Sequence, residues 1–554
     1  MTLVGLSLYD FFLLFSKQNL MTSSQSSTPP KLSRWLQLIL IAFLTLGIIL
    51  RFTNLDQKNY WLDEVATSLR LGGYTIADVS ERFYDNQIVT VADLQKYQSP
   101  APDKTIIDTI NSLVADDPQH PPLYYIILQL WSKVFGNAPA VLRLVSVIAS
   151  LLTFPCLYWL CIELSEAIAF RWITLATSSV SLLYILYAQE AREFSLWILT
   201  IVLSNIAFFR AMRIGSKSSF TIYAGSLVLG FYTFPLTALV AFGHALYVLV
   251  IERAKITRNL IYFFTSAIAG SASFLPWMWF VLNNKKRVSE TVAWMYVNRS
   301  WQELIDFWSV NFTGVFVHYS KFRLVFLVLF LSLLYLFYRK ASKSLFWFVV
   351  TSTASSFILF LLADLIFNTS FSSTFRYLWP FMLGTQLYLC YVLSYMINST
   401  HSKGNWLKVA GVLILIGTLA LSSYGSVSMV VEYGEQNSTY SAAKLINESE
   451  SPLVLNYVGD KENLVIGDVG DVFSLSYYVK DTTKFLLYKQ PSIPKITEGF
   501  SDIYLFYVFH GIASEFEPVN LESITNQGYQ VEPVDLAGDE KTIFWKIKPL
   551  AKST

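Results

Sequence analysis

The sequence predicts a polytopic α-helical membrane protein with a small soluble α/β domain at its C-terminal end. Three observations carry this. Hydrophobic residues make up 54% of the 554 residues, charged residues only 14%, and mean hydropathy is +0.45; soluble domains average about 25% charged. About eleven stretches approach the roughly 20 mostly apolar residues that a spanning helix needs. After Tyr433 those stretches stop, and charged residues, Asn and Gly return.

Taken in order, residues 1–34 read as a cytoplasmic leader without fixed structure. Leu3–Phe15 is apolar but short and contains Asp10, Thr22–Pro30 is rich in Ser, Thr and Pro, and Met21 offers a second start that N-terminal mass spectrometry tests. The first span covers 35–52. It is followed by Asn59–Arg70, where the adjacent carboxylates Asp63 and Glu64 stand behind Tyr60 and Trp61, aromatics of the kind that mark a bilayer surface. This stretch reads as the catalytic loop of a membrane enzyme, although adjacent acids also suit a plain solvated loop. Further spans are expected at 141–162, 168–188, 195–213, 219–236, 237–251, 259–282, 322–338, 344–367, 376–397 and 406–430. Together they form a membrane domain over 35–433 with an outer loop at 53–140.

Lys and Arg near span ends set sidedness, since they concentrate on the cytoplasmic face. The clusters Arg210/Arg213/Lys217, Arg253/Lys255/Arg258, Arg339/Lys340/Lys343 and Lys403/Lys408 all fall inside if the N-terminus is inside. The segment 53–119 is then outside, with eleven acidic residues against five basic ones. His120–Gly136 is the test of this scheme, because a crossing there would send every later basic cluster outward. Its apolar core is short and holds Lys133, so it is expected to lie in the outer interface. Pro121 and Pro122 suit its first turn. Asp63, His120, Arg143, Gln189–Arg192 and Arg376 then share the outer surface. A second outer loop, 283–320, carries Trp294, Tyr296, Trp301, Trp308 and Tyr319, which suit an interfacial helix or stacking on a sugar.

Residues 434–554 are expected to form an extracytoplasmic α/β domain of normal size. Thr439–Asn447 reads as a helix, and Leu453–Tyr457, Ile503–Phe509 and Thr542–Ile547 read as strands. It shows no nucleotide loop, zinc spacing or nucleophile elbow. Cys156, Cys161 and Cys390 all lie in apolar segments, which argues against a disulfide framework. The formal charge of +2 gives no sign of a nucleic-acid partner.

The outer-surface residues follow an order: the acidic pair after the first span, His120-Pro121-Pro122-Leu123-Tyr124-Tyr125, Arg143-Leu144-Val145-Ser146, Gln189-Glu190-Ala191-Arg192, and Arg376-Tyr377-Leu378-Trp379-Pro380. Over about residues 35–400 this resembles the bacterial GT-C glycosyltransferases of the protein O-mannosyltransferase (family 39) and aminoarabinose-transferase type. The resemblance implies a sugar carried on a polyprenyl phosphate and an acceptor protein, lipid or polysaccharide met at the outer face of an inner or plasma membrane. It implies Asp63 as the base, with Glu64 orienting it or binding the acceptor, and Arg376, Tyr377 and Arg192 at the carrier phosphate, with Arg143 a further candidate; Arg376 and Arg143 also suit snorkelling to the headgroups, and Arg143 suits structural packing better than substrate contact. An acceptor hydroxyl needs a carboxylate to take its proton, and guanidinium groups grip phosphate oxygens in pairs. His120, Glu190 and Asp117 are placed in the substrate loop. Asp116 and Asp117 also suit capping of the His120 helix, and Asp364 is an intramembrane acid of the kind that attracts functional readings. No cofactor is required, although His120 with a nearby acid leaves room for a divalent metal. The chain departs from the pattern at Arg192-Glu193-Phe194, where many relatives have Arg-Pro-Tyr, and lacks the second proline after Arg376.

Two other classes stand beside an inverting glycosyl transfer. A lipid or glycan transporter or flippase predicts intramembrane charges along a path and inverted repeats. A non-catalytic scaffold predicts that the outer loop tolerates change at Asp63.

Overall fold

The computed structural model describes residues 32–101, 103–296, 299–316, 323–399, 405–432, 438–459, 464–491, 493–508, 521–536 and 542–550. Nearly all of the expected leader, with Met21, lies outside them, as do Tyr319, Lys403 and the expected domain junction at 433/434.

Each of the eleven expected spans overlies a helix or a bent pair of helices. Six are long and apolar enough to cross a membrane: α1 (Arg34–Phe52), α7 (Pro139–Leu164), α10 (Phe194–Ile214), α18 (Lys343–Phe367), α19 (Trp379–Ile397) and α20 (Asn405–Val431). Two bent pairs raise the number to eight, α8 with α9 (Ile168–Val180 and Leu182–Ala188, 58°) and α13 with α14 (Arg258–Ala272 and Leu275–Asn283, 45°). The expected spans at 219–236, 237–251 and 322–338 form α11 (Lys217–Thr233), α12 (Thr237–Ile251) and α17 (Arg323–Lys340), outside that count. The chain is a multi-pass membrane protein. His120–Gly136 contains α6, the short helix Leu123–Phe135, which starts behind Pro122 and ends at Gly136 (φ 95°).

The bend between α8 and α9 positions the site, and buried side chains satisfy the carbonyls it frees. An unsatisfied backbone group in a bilayer costs several kcal/mol. Gly47 lets α1 approach the Ser179 backbone so closely that a Cβ would collide with it. Arg51 Nη1 donates to Gly47 O and Ser179 O, 2.7 Å each, and its Nε to Ser150 Oγ (2.9 Å). The hydroxyls of Ser422 and Ser426 donate to Val180 O (2.9 and 2.8 Å). The chain can therefore turn at Ser181 (ψ 124°) and deliver residues 189–193 to the end of the bundle.

Outside the bundle, the acidic pair is helical. Asp63 and Glu64 sit in the first turn of α2 (Leu62–Leu71), where carboxylates favour the positive end of the helix dipole. Short helices α3 (Ile76–Phe83), α4 (Val91–Tyr97) and α5 (Ile106–Asp116) follow. α15 (Lys285–Thr291) and α16 (Trp301–Thr313) form the second outer segment.

The C-terminal part contains α21 (Ser438–Ile446), α22 (Ile466–Leu475) and α23 (Leu521–Thr525). Its strands are β2 (Pro452–Val458), β3 (Lys484–Lys489), β4 (Asp502–Val508), β5 (Tyr529–Pro533) and β6 (Thr542–Pro549). The sheet has six strands because the outer loop lends it β1 (Ile88–Thr90); the order is β1-β3-β2-β4-β6-β5. β2 runs parallel to β3 and β4, and the other pairings are antiparallel. One hydrophobic core joins Val65, Leu69, Phe83 and Leu94 of the loop to Val454, Phe473 and Phe485 of the C-terminal part. Loop and C-terminal segment thus fold as one unit.

Candidate active site

α2 projects the two acids in different directions, and burial separates them. The Glu64 side chain is 0% exposed and the Asp63 side chain 20%. Glu64 accepts from Arg143 through both oxygens (Nε–Oε1 2.8 Å, Nη2–Oε2 2.7 Å) and from the Ala191 amide (2.7 Å). Arg143 gives its remaining donors to the carbonyls of Leu55, Lys58 and Asn59 (2.7, 3.0 and 2.9 Å). Arg143 therefore has no N–H left for a phosphate, which corrects its placement there and leaves the packing role, and Glu64 is sealed from the cavity, which rules out acceptor binding but not orientation of its neighbour; together they clamp α2 to α7 and to the turn before α10.

Asp63 points into a cavity of about 230 Å³ that is also lined by Arg192, Arg376, Tyr377, His120 and Asp117. Asp63 Oδ2 lies 2.6 Å from Arg376 Nη1 and 3.9 Å from Arg192 Nη2. Arg192 Nη1 also donates to Asp63 O (3.2 Å) and Thr67 Oγ1 (3.3 Å), which fixes it against α2. Burial alone lowers the tendency of Arg376 to hold its proton, but the charge of Asp63 overrides this and raises it. Arg376 stands in the 3₁₀ turn Phe375–Tyr377 between α18 and α19. Asp364 shapes the chain leading there by accepting from Thr369 Oγ1 (2.9 Å) and the amides of Phe371 and Ser372 (2.8 and 3.1 Å). That accounts for the intramembrane acid structurally.

His120 Nδ1 meets Glu193 Oε1 at 2.9 Å. Burial pushes the Glu193 carboxyl up, but Arg192 and then His120 more than reverse this and hold it at about 2. Asp117 is salt-bridged to Arg70 (3.0 Å). Burial raises its carboxyl and the charges of Arg70 and His120 bring it below the ordinary range. Glu190 is placed away from the cavity wall, 2.9 Å from Lys58 Nζ. Burial there raises the carboxyl and lowers the ammonium, both toward the neutral forms. Among the described residues no three His, Cys, Asp or Glu side chains group to hold a metal ion.

Several site residues were missed from the sequence. Glu193 and Phe194, read as departures from a motif, orient His120 and flank Arg376. The guanidinium carbon of Arg376 lies 5.5 Å from the Phe194 ring, 5.6 Å from Tyr377, and 5.8 Å from both Trp61 and Trp294, within cation–π range. Glu290, Trp294, Val465–Asp468 and Tyr507 complete the lining. The C-terminal part, which showed no active-site signature, therefore helps to close the cavity. A roll of spaced acids and aromatics gives no signal for this, because the contacts are distant in sequence.

No protein-family model matches the sequence, and no curated protein matches it. Solved structures do. The crystal structure of ArnT from Cupriavidus metallidurans in the apo state aligns with a TM-score of 0.50 at 12% identity, covering 93% of this chain and 98% of that one. ArnT bound to undecaprenyl phosphate aligns at 0.48 and 12%, covering 92% and 98%. The archaeal oligosaccharyltransferase AglB from Archaeoglobus fulgidus, in complex with an inhibitory peptide and a dolichol-phosphate, aligns at 0.45 and 10%, covering 82% and 65%. The fold is the GT-C fold.

Proposed function

We propose that this chain is an integral-membrane glycosyltransferase that moves a monosaccharide from a polyprenyl-phosphate carrier to a hydroxyl acceptor at the extracytoplasmic face, with inversion. The observation that carries the reading is the meeting of one carboxylate that remains partly exposed, Asp63, with two arginines, Arg376 and Arg192, in a single cavity at one end of an apolar bundle. The fold shared with ArnT supports it.

Asp63 takes the proton of the acceptor hydroxyl as that oxygen attacks the anomeric carbon. The bond from this carbon to the phosphate oxygen breaks, and its electron pair leaves with the carrier. The leaving group departs as a phosphate anion, so no general acid is needed, unlike in glycoside hydrolysis. Arg376 and Arg192 hold the growing negative charge. The carrier phosphate is held by Arg376 and Arg192, and the acceptor hydroxyl lies within reach of Asp63 on the side of the anomeric carbon away from the phosphate, as in-line displacement requires.

The test is Asp63→Asn in purified protein supplied with a lipid-linked sugar. Loss of a general base predicts a fall in transfer of about 10²–10⁴-fold. Full activity removes Asp63 from the role.

A further inference from the structure

The base and the phosphate holder occupy each other. Arg376 Nη1 is 2.6 Å from Asp63 Oδ2, and Arg192 approaches the same oxygen at 3.9 Å. The rings of Trp61, Phe194, Trp294 and Tyr377 stand around the Arg376 guanidinium. They restrict its movement and leave its in-plane N–H edges for acceptors. Its Nε is buried and has no hydrogen-bond partner among the described residues; the same holds for Nε of Arg192. Buried donors of this kind are expensive to leave unmade, so the pair is set to receive an oxyanion with more acceptor oxygens than Asp63 offers.

We propose that Asp63 and the carrier phosphate compete for the Arg376 guanidinium, so that the ion pair holds the base out of use until the donor binds. This rests on the reading of Asp63 as base and Arg376 as phosphate holder. Donor phosphate displaces the carboxylate from Arg376. Asp63, released from Arg376, is free to accept the acceptor's proton. Addition is therefore ordered, donor before acceptor. After transfer Asp63 carries that proton and cannot re-pair. Once it gives the proton to water its charge returns, and it competes the spent carrier phosphate off Arg376. The same contact thus prevents acceptor activation before the donor arrives and assists product release.

The test is the affinity of the full chain in detergent for undecaprenyl phosphate, by calorimetric titration, over a double-mutant cycle of Asp63→Asn and Arg376→Gln. A site whose competent form is one-tenth populated binds about tenfold more weakly than the open site. Asp63→Asn should therefore tighten binding about tenfold with Arg376 present and change it little in the Arg376→Gln background. Unchanged or weaker binding by Asp63→Asn overturns the proposal. Equal tightening in both backgrounds also overturns it, because that is through-space repulsion and not competition for one guanidinium. Should Asp63→Asn fail to fold, Asp63→Ser takes its place in the cycle. Arg376→Gln alone tests the underlying reading separately: undiminished binding there removes Arg376 as phosphate holder, whatever Asp63 does.

Discussion

Arg143 has five N–H donors, and each already meets an acceptor inside the protein. A buried ion pair contributes little net stability, but removing one partner leaves an uncompensated charge and costs about 3–5 kcal/mol. Arg143→Met should therefore abolish or sharply lower the recovery of folded protein, and adding Glu64→Gln should restore part of it. Thermal unfolding in detergent measures both. An Arg143 variant that unfolds like the wild type but loses carrier binding would return Arg143 to the phosphate site. The His120–Glu193 contact predicts a pH dependence. The Glu193 carboxyl is held at about 2 against an ordinary 4.5, with burial opposing the shift and Arg192 and His120 causing it. A folded value below the unfolded one contributes stability above pH 4.5 that is lost as the pH falls toward 2. The gap in unfolding temperature between wild type and Glu193→Gln should be full above that window and close within it. A gap that ignores pH would dissociate the carboxylate from the effect.

At the scale of elements, three of the eleven acids of the outer loop are explained by helix starts. Thr75/Asp78 and Thr90/Asp93 form reciprocal capping boxes, and at Thr105/Asp108 the Thr105 amide and hydroxyl donate to the Asp108 carboxylate. In the middle one Thr90 N and Oγ1 donate to Asp93 Oδ2 (2.9 and 2.6 Å), and Asp93 N returns a bond to Thr90 Oγ1 (3.1 Å). The Thr-x-x-Asp spacing is visible in the sequence, where these acids register only as an excess of negative charge. Loss of an N-cap costs about 1 kcal/mol, so Thr90→Ala should lower the stability of the outer unit by about that amount and hasten limited proteolysis near β1. Unchanged cleavage would show that sheet pairing alone secures β1.

For the molecule as a whole, α22 of the C-terminal part packs on α2, the helix that carries Asp63. Gly470 makes this approach possible, because a Cβ there would collide with Leu62 Cδ1. Tyr60 reinforces the seam: its amide donates to Tyr478 OH and its carbonyl accepts from Ser474 Oγ, 2.5 Å each. Displacing a reacting group by about 1 Å can cost 10²-fold in rate. On the proposed mechanism, Gly470→Val should therefore slow transfer about tenfold or more while affinity for added undecaprenyl phosphate persists. Transfer at the wild-type rate would show that the C-terminal part covers the cavity without positioning the base.

The sequence by itself determined the membrane class, the helices and the chemical types at the site, because these follow from local hydrophobicity, helix length and motif order. Only the tertiary structure decided which charges are spent. Asp63 and Glu64 are adjacent in the chain, yet a helix turns neighbours about 100° apart, so one faces the cavity and the other a buried arginine. The contacts of Asp63 with Arg376, of His120 with Glu193 and of α2 with α22 join residues far apart in sequence. Nothing local encodes them; they exist because α2 lies between two cores, giving Leu71 to that of the bundle and Val65 and Leu69 to that of the outer unit.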